Sequence, residues 1–236
     1  MKVSRDQVAK NRQRILEVAG TLFREKGFEG VAVADIMQHA GLTHGGFYGH
    51  FASKEDLAAR SCADAVARTV NAWTALADDK SSDQLDAFVA SYLSPRHRDD
   101  AGGGCVLAAL GADVARQRGA VRRAFTEGIR ATVAMIARLS AAPTESATSK
   151  KSTASRKSAP SPKSKVSARS VSTKSDISAA LHVTAPGQSD AQREHALATL
   201  SGLVGALTLA RAADDPALSD EILHAALKAF SGKSAG

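Results

Sequence analysis

Between Ala142 and Gln188 the chain almost entirely lacks large apolar residues. Serine recurs at every third position from Ser146 to Ser170, and Ala, Lys, Thr and Pro fill most of the remainder. Such a stretch cannot bury enough surface to offset its ordering entropy. Unstructured loops of this length are rare inside compact domains. The composition therefore predicts a disordered insertion, which splits the foldable sequence into a long N-terminal piece and a shorter C-terminal one.

The insertion also reorganises the charge. The 236-residue chain carries a net charge of +7, which on its face suggests an acidic partner. Eight Lys and Arg against Glu145 and Asp176 place six of those seven charges between Ala142 and Gln188. The foldable remainder is close to neutral. The insertion reads either as an inert loop or as a polycation that adds salt-sensitive, non-specific phosphate affinity. A histone-like architectural protein would need that basic run to dominate.

Several classes are excluded early. Two cysteines, Cys62 and Cys105, cannot staple a disulfide scaffold or build a Cys-rich zinc site. No residue pattern calls for a cofactor or a metal. Met1 to Arg14 is charged and has no apolar run, so no signal peptide is expected. The longest apolar stretch, Leu200 to Ala210, is about half of what a membrane span needs. The expected setting is the cytoplasm, with reduced thiols.

Outside the insertion the apolar residues fall at helical spacing. Val8, Ile15, Leu16, Val18, Ala19, Leu22 and Phe23 mark a helix over Gln7 to Lys26, with Gly27 as its stop. A short face (Val33, Ile36, Met37) follows to Ala40, and Gly41 breaks it. Thr43 to His50 is a third, glycine-rich element. Ser53-Lys54-Glu55-Asp56 is an N-cap with early acids, opening a long helix to about Leu76. Further helices are expected over Asp83–Leu93, stopped by Pro95, and over Cys105–Arg116, Val121–Leu139, Gln192–Ala213 and Pro216–Phe230. Arg96 to Gly104 reads as a polar loop. The fold class is all-α, with about nine helices and no strand.

Val33 to His50 has the order of a helix-turn-helix, in which the second helix enters the DNA major groove. The run Gly41-Leu42-Thr43-His44-Gly45-Gly46-Phe47-Tyr48-Gly49-His50-Phe51, then Ser53-Lys54-Glu55-Asp56-Leu57, resembles the recognition signature of the TetR family of transcriptional regulators. Leu22 to Phe28 and Asp35-Ile36 are similar to the same family. The resemblance implies a three-helix DNA-binding domain over 1–52 and a helical effector-binding and dimerisation domain over 53–236, insertion included. It implies a ligand-responsive regulator, a repressor, and no enzyme.

The residues support that role physically. Thr43 can cap the third helix, or its hydroxyl can meet a phosphate there. Gly45 allows close approach of the duplex. Tyr48 offers a hydroxyl to phosphate, and Lys54 is a phosphate clamp. His44 faces the groove in the family pattern, and His50 reads either as a phosphate contact or as a packing hydrogen bond. Lys2, Arg5, Lys10, Arg12 and Arg14 back these from the N-terminal arm. Phe47 and Phe51, at i and i+4, share a face and read as core pins. Two departures stand out. The family has Thr or Ser where this chain has Val31 and Ala32, so a capping hydroxyl is missing. Gly45, Gly46 and Gly49 weaken the recognition helix by about 1 kcal/mol each relative to Ala, and Gly46 and Gly49 offer no side chain to read bases.

In the second domain the resemblance implies a pocket for an unknown small-molecule effector. Its apolar candidates are Trp73, Leu76, Phe88, Tyr92, Val106, Leu110, Phe125 and Met135; each reads equally as plain core. Cys105 follows three glycines at a helix N-terminus, where the dipole favours the thiolate. It is a candidate sensor of oxidants or electrophiles, or an inert buried thiol. Cys105 and His97 are also the one pair with the chemistry of a nucleophile and base, with no orienting acid apparent. The last two helices are rich in small residues. Leu197, Leu200, Val204 and Leu207 are expected on one face, with Gly202 and Gly205 allowing close approach, which suits a homodimer.

Overall fold

The computed structural model describes residues 4–77, 84–140 and 189–231. The insertion expected over 142–188 lies outside the described residues, as do Lys2 and Asp83 and the side chain of Leu76.

Helix α1 runs Arg5–Lys26. The Ser4 hydroxyl starts it by accepting from Gln7 N–H at 3.2 Å. Gly27 ends it at φ +72°, a left-handed position that glycine alone takes without strain. Its buried face is Ile15, Ala19, Leu22 and Phe23. Helix α2, Val33–His39, begins without a side-chain cap, since Ala32 has no hydroxyl to offer. The Asp35 carboxylate partly compensates by accepting from Ala32 N–H at 3.1 Å. The turn then passes through Gly41 at φ +67°.

The third element is not an α-helix. His44–Gly49 is a six-residue 3-10 helix, here η1. Three glycines leave it too little intrinsic helix preference for the longer form, and 3-10 runs are short by nature. The pair Phe47 and Phe51 is fully buried beneath it, as the i, i+4 spacing predicts.

Helix α3, Lys54–Ala77, is the spine of the molecule. The Ser53 hydroxyl accepts from Asp56 N–H at 3.0 Å, while Asp56 accepts from Ala52 N–H at 3.2 Å. Its small residues Ala58, Ala59, Cys62 and Ala65 are buried. Facing it, Gly128 comes so close to Val66 that an added Cβ would lie 2.9 Å from that side chain. The chain continues as α4 (Gln84–Tyr92), α5 (Pro95–Asp99), α6 (Val106–Ala115), α7 (Gly119–Leu139), α8 (Asp190–Ala212) and α9 (Pro216–Phe230). The described residues contain no strand, and the fold is all-α.

Two expectations change here. Pro95 does not simply stop a helix. It is the first residue of α5, which Ser94 caps by accepting from His97 N–H, so the expected loop over Arg96–Gly104 begins as a helical turn. The expected single face on α8 also divides. Leu200 and Leu207 lie in the chain's own core, Val204 is half-buried, and Leu197 is exposed. Gly202 lies against the Phe230 ring of α9, whereas Gly205 faces open space. Among the described residues no helix is long and apolar enough to cross a membrane.

Candidate functional site

The N-terminal head presents a small polar surface on a sealed apolar base. Phe47 meets Tyr48 edge-on at 5.2 Å and Phe51 at 5.9 Å. With Phe47 buried, its neighbour Tyr48 is forced outward and is 72% exposed. Thr43 and His44 are exposed beside it, and Cβ positions at Gly45 and Gly49 would meet nothing within 4 Å. Lys54 stands half-buried at the first turn of α3.

Other expectations for the head need correction. Thr43 sits at the N-cap position of η1, but its hydroxyl makes no cap hydrogen bond, which leaves it free for an external acceptor or donor. A Cβ on Gly46 would point toward Met37 and Thr43 rather than outward. Arg12 is not part of a free basic arm. It donates to the His50 carbonyl and stacks over the Phe51 ring at 4.4 Å from its centroid. His50 is half-buried, with Nδ1 enclosed and without a partner among the described residues. Arg5, Lys10 and Arg14 remain exposed on α1.

The second site is a cleft of about 260 Å³ between α3, α4, α5 and the loop before α6. It brings together Trp73, Phe88, Tyr92 and Cys105 from the sequence-derived candidates. Trp73 meets Phe88 edge-on at 5.1 Å, and Phe88 meets Tyr92 at 5.7 Å, so the three rings form one wall. Phe125 does not join them. It is core packed near Gly111, and Val106, Leu110 and Met135 are core as well.

The polar half of the cleft comes from residues without a sequence signal. His97 packs edge-on against Tyr92 at 4.8 Å. Its Nε2 accepts from Cys105 N–H at 2.9 Å, so the ring donates from Nδ1 to the Tyr92 carbonyl at 2.6 Å. Burial holds its pKa below the ordinary imidazole value, in keeping with this neutral form. Both ring nitrogens are therefore engaged, and neither is available to take the Cys105 thiol proton. Arg211, in the last turn of α8, donates from Nε to the Arg98 carbonyl at 3.0 Å and from Nη2 to the His97 carbonyl at 2.7 Å. The only sequence cue to Arg211 was a base at a helix C-terminus. The two thiols differ: Cys105 is half-buried in the cleft, whereas burial pushes Cys62 up to about 12.

The loop behind the cleft touches the head. Arg24 of α1 is 9% exposed and donates from Nε to the Gly102 carbonyl at 2.6 Å. Two residues on, Gly103 and Gly104 line the cleft.

Comparison with known proteins agrees with this layout. Residues 15–60 match the family model described as bacterial regulatory proteins, tetR family. Residues 81–157 match a tetracyclin repressor-like C-terminal domain. The chain is 30% identical over 95 residues to the HTH-type transcriptional repressor KstR2 of Mycolicibacterium smegmatis, covering 39% of this chain and 46% of that one. It is 38% identical over 56 residues to the uncharacterized HTH-type transcriptional regulator YfiR of Bacillus subtilis, covering 24% and 27%. The chain thus spans less than half the length of these curated relatives. The crystal structure of the reduced form of E. coli NemR superposes with a TM-score of 0.63 at 19% identity, over 94% of this chain and 95% of that one. With a helix-turn-helix head and a C-terminal helical domain each matched in its own right, the chain belongs to the TetR family of bacterial regulatory proteins.

Proposed function

We propose that the chain is a transcriptional repressor that binds a near-palindromic operator as a homodimer and releases it when a small molecule occupies the cleft. The observation that carries this is the exposed surface of Thr43, His44, Gly45 and Tyr48, fixed on the sealed Phe47–Phe51 base and flanked by Lys54. The relative from M. smegmatis is named a repressor, which supports the direction of control. The exposed leucines of α8 and α9 (Leu197, Leu209 and Leu218) are an apolar strip suited to a second copy. A two-fold pair spaces the two heads about 34 Å apart, one DNA turn.

The Gly102–Cys105 loop offers the route of control. One side lines the cleft and the other receives Arg24 of α1, so a ligand that shifts the loop biases the head. The long helix α3 joins head and cleft as a second link. The chain binds its small molecule rather than transforming it, a reading supported by the engaged nitrogens of His97.

DNA selected from a random pool by the purified protein is expected to show two inverted half-sites about 10 base pairs apart, centre to centre. Enrichment of a single unpaired site would overturn the dimer reading. Lys54→Ala is expected to weaken binding to all sequences alike and to reduce the salt slope of log K by about 1. An unchanged slope would remove Lys54 from the interface.

A second reading rests on Cys105, whose thiol opens on the cleft at the start of α6 while Cys62 is sealed. Alkylation at Cys105 would place bulk where the effector sits. Treatment with iodoacetamide is expected to release operator from the wild type and not from Cys105→Ser. If both proteins release it equally, Cys105 is no sensor.

A further inference from the structure

Two polar groups at the inner end of the cleft have no partner among the described residues. Tyr92 is 7% exposed, and its hydroxyl is buried without a hydrogen bond. The Cys105 thiol is near enough to affect its ionisation but does not meet hydrogen-bond geometry. Arg211 Nη1 is buried and equally unpartnered, although Nε and Nη2 of the same guanidinium are held by carbonyls around α5. The guanidinium lies directly behind the cleft wall, with Nη2 2.8 Å from where a Gly104 Cβ would stand. Its charge is felt at the Tyr92 hydroxyl.

Buried donors are almost always satisfied in folded proteins, and the exceptions mark places where something else binds. Burial pushes the Tyr92 phenol well up, so it stays a neutral donor. Arginine is a donor at every relevant pH and has no acceptor atoms. Two donors, one of them cationic, call for an acceptor that carries negative charge. The acid of this loop does not supply it, because the Asp100 carboxylate accepts from Gly103 N–H at 2.7 Å. Arg96 stands at the rim and adds to the positive potential. Beside these donors is the flat wall of Trp73 and Phe88. The cleft volume of about 260 Å³ lies below the common range for drug-sized ligands, so its occupant is compact.

We propose that the cleft takes a compact aromatic carboxylate, with its carboxylate oxygens received by Tyr92 Oη–H and Arg211 Nη1–H and its ring against Trp73 and Phe88. This rests on the effector reading above and adds the chemical class of the ligand. An ordered water could satisfy the same two donors. In that case a neutral aromatic would bind as well as an anion.

Trp73 is the sole tryptophan of the chain, so its fluorescence reports occupancy directly. The full-length protein is titrated with benzoate and with benzyl alcohol, which has a similar ring and no charge. Benzoate is expected to bind at least tenfold more tightly. In Tyr92→Phe that advantage is expected to shrink about tenfold, with no fall in thermal midpoint, since the variant removes only an unsatisfied hydroxyl. Arg211→Lys, which keeps the charge and loses the fork, is expected to narrow it as well. Equal binding of the two probes, no response to millimolar benzoate, or an unchanged preference in both variants would overturn the proposal. Operator release is read separately. Benzoate that binds without releasing operator leaves the carboxylate subsite standing and removes the effector reading. Release by benzyl alcohol with no preference for benzoate does the reverse.

Discussion

Replacing Phe47 with alanine is expected to abolish operator binding, although Phe47 presents nothing to DNA. The side chain is fully buried and sits between the Tyr48 and Phe51 rings. The element that carries it is a six-residue 3-10 helix with glycine at Gly45, Gly46 and Gly49. A short helix of that composition has no stability of its own and is held in place by what it buries. Phe47 is its one fully buried large side chain. Truncating a core phenylalanine costs about 3–5 kcal/mol, a large part of a typical domain's stability. The loss falls on the head, so Thr43, His44 and Tyr48 lose their common platform together. Denaturant unfolding is expected to show a lowered midpoint or an early separate transition. Gel filtration is expected to show the assembly state unchanged, because α8 and α9 lie elsewhere in the fold. Phe47→Leu keeps most of the volume and is expected to retain measurable binding. Wild-type operator affinity in Phe47→Ala would show that the platform is held by something other than this ring.

The same region shows what the sequence could and could not disclose. The head was legible because its instructions are local: a capping serine at Ser53, positive-φ glycines at Gly27 and Gly41, and aromatics four residues apart at Phe47 and Phe51. The choice of a 3-10 over an α-helix at His44–Gly49 was not, since glycines weaken a helix without naming its replacement. Arg12 looked like one of several bases on an arm. Only the folded head shows it turned inward over Phe51. The cleft divides along the same line. Trp73, Phe88 and Tyr92 were accessible as large aromatics at helical spacing, though Phe125 fitted the same description and belongs to the core. The polar half was hidden by distance along the chain. Arg211 reaches the His97 carbonyl across 114 residues, and Arg24 reaches the Gly102 carbonyl across 78. Periodicity carries no information about contacts of that range.

Those long-range contacts meet at Gly104, where a single methyl group is expected to have consequences out of proportion to its size. A Cβ there would stand 2.8 Å from the Asp100 carbonyl oxygen, 2.8 Å from Arg211 Nη2 and 2.9 Å from His97 Nε2. Side chains can retreat from such a clash, but the Asp100 carbonyl is backbone and moves only with the loop. Relief therefore pulls His97 away from Cys105 N–H, loosening the start of α6, and displaces the guanidinium from the carbonyls around α5. Overpacking of this kind costs about 1–3 kcal/mol. Gly104→Ala is expected to lower the unfolding midpoint accordingly and to remove the ligand response. Operator affinity without ligand is expected to persist, because Gly104 lies outside the core of the head. Gly111, seven residues on and inside α6, gives the opposite expectation. An added Cβ there would meet only Phe125 Cζ at 3.9 Å, an ordinary contact. Gly111→Ala is therefore expected to stabilise the helix by about 0.5–1 kcal/mol and leave the response intact. Measured side by side, the two variants separate the closeness of packing at the loop from the general effect of removing a glycine. If Gly104→Ala unfolds like the wild type and still responds to ligand, the loop yields freely and cannot be what connects the cleft to the head.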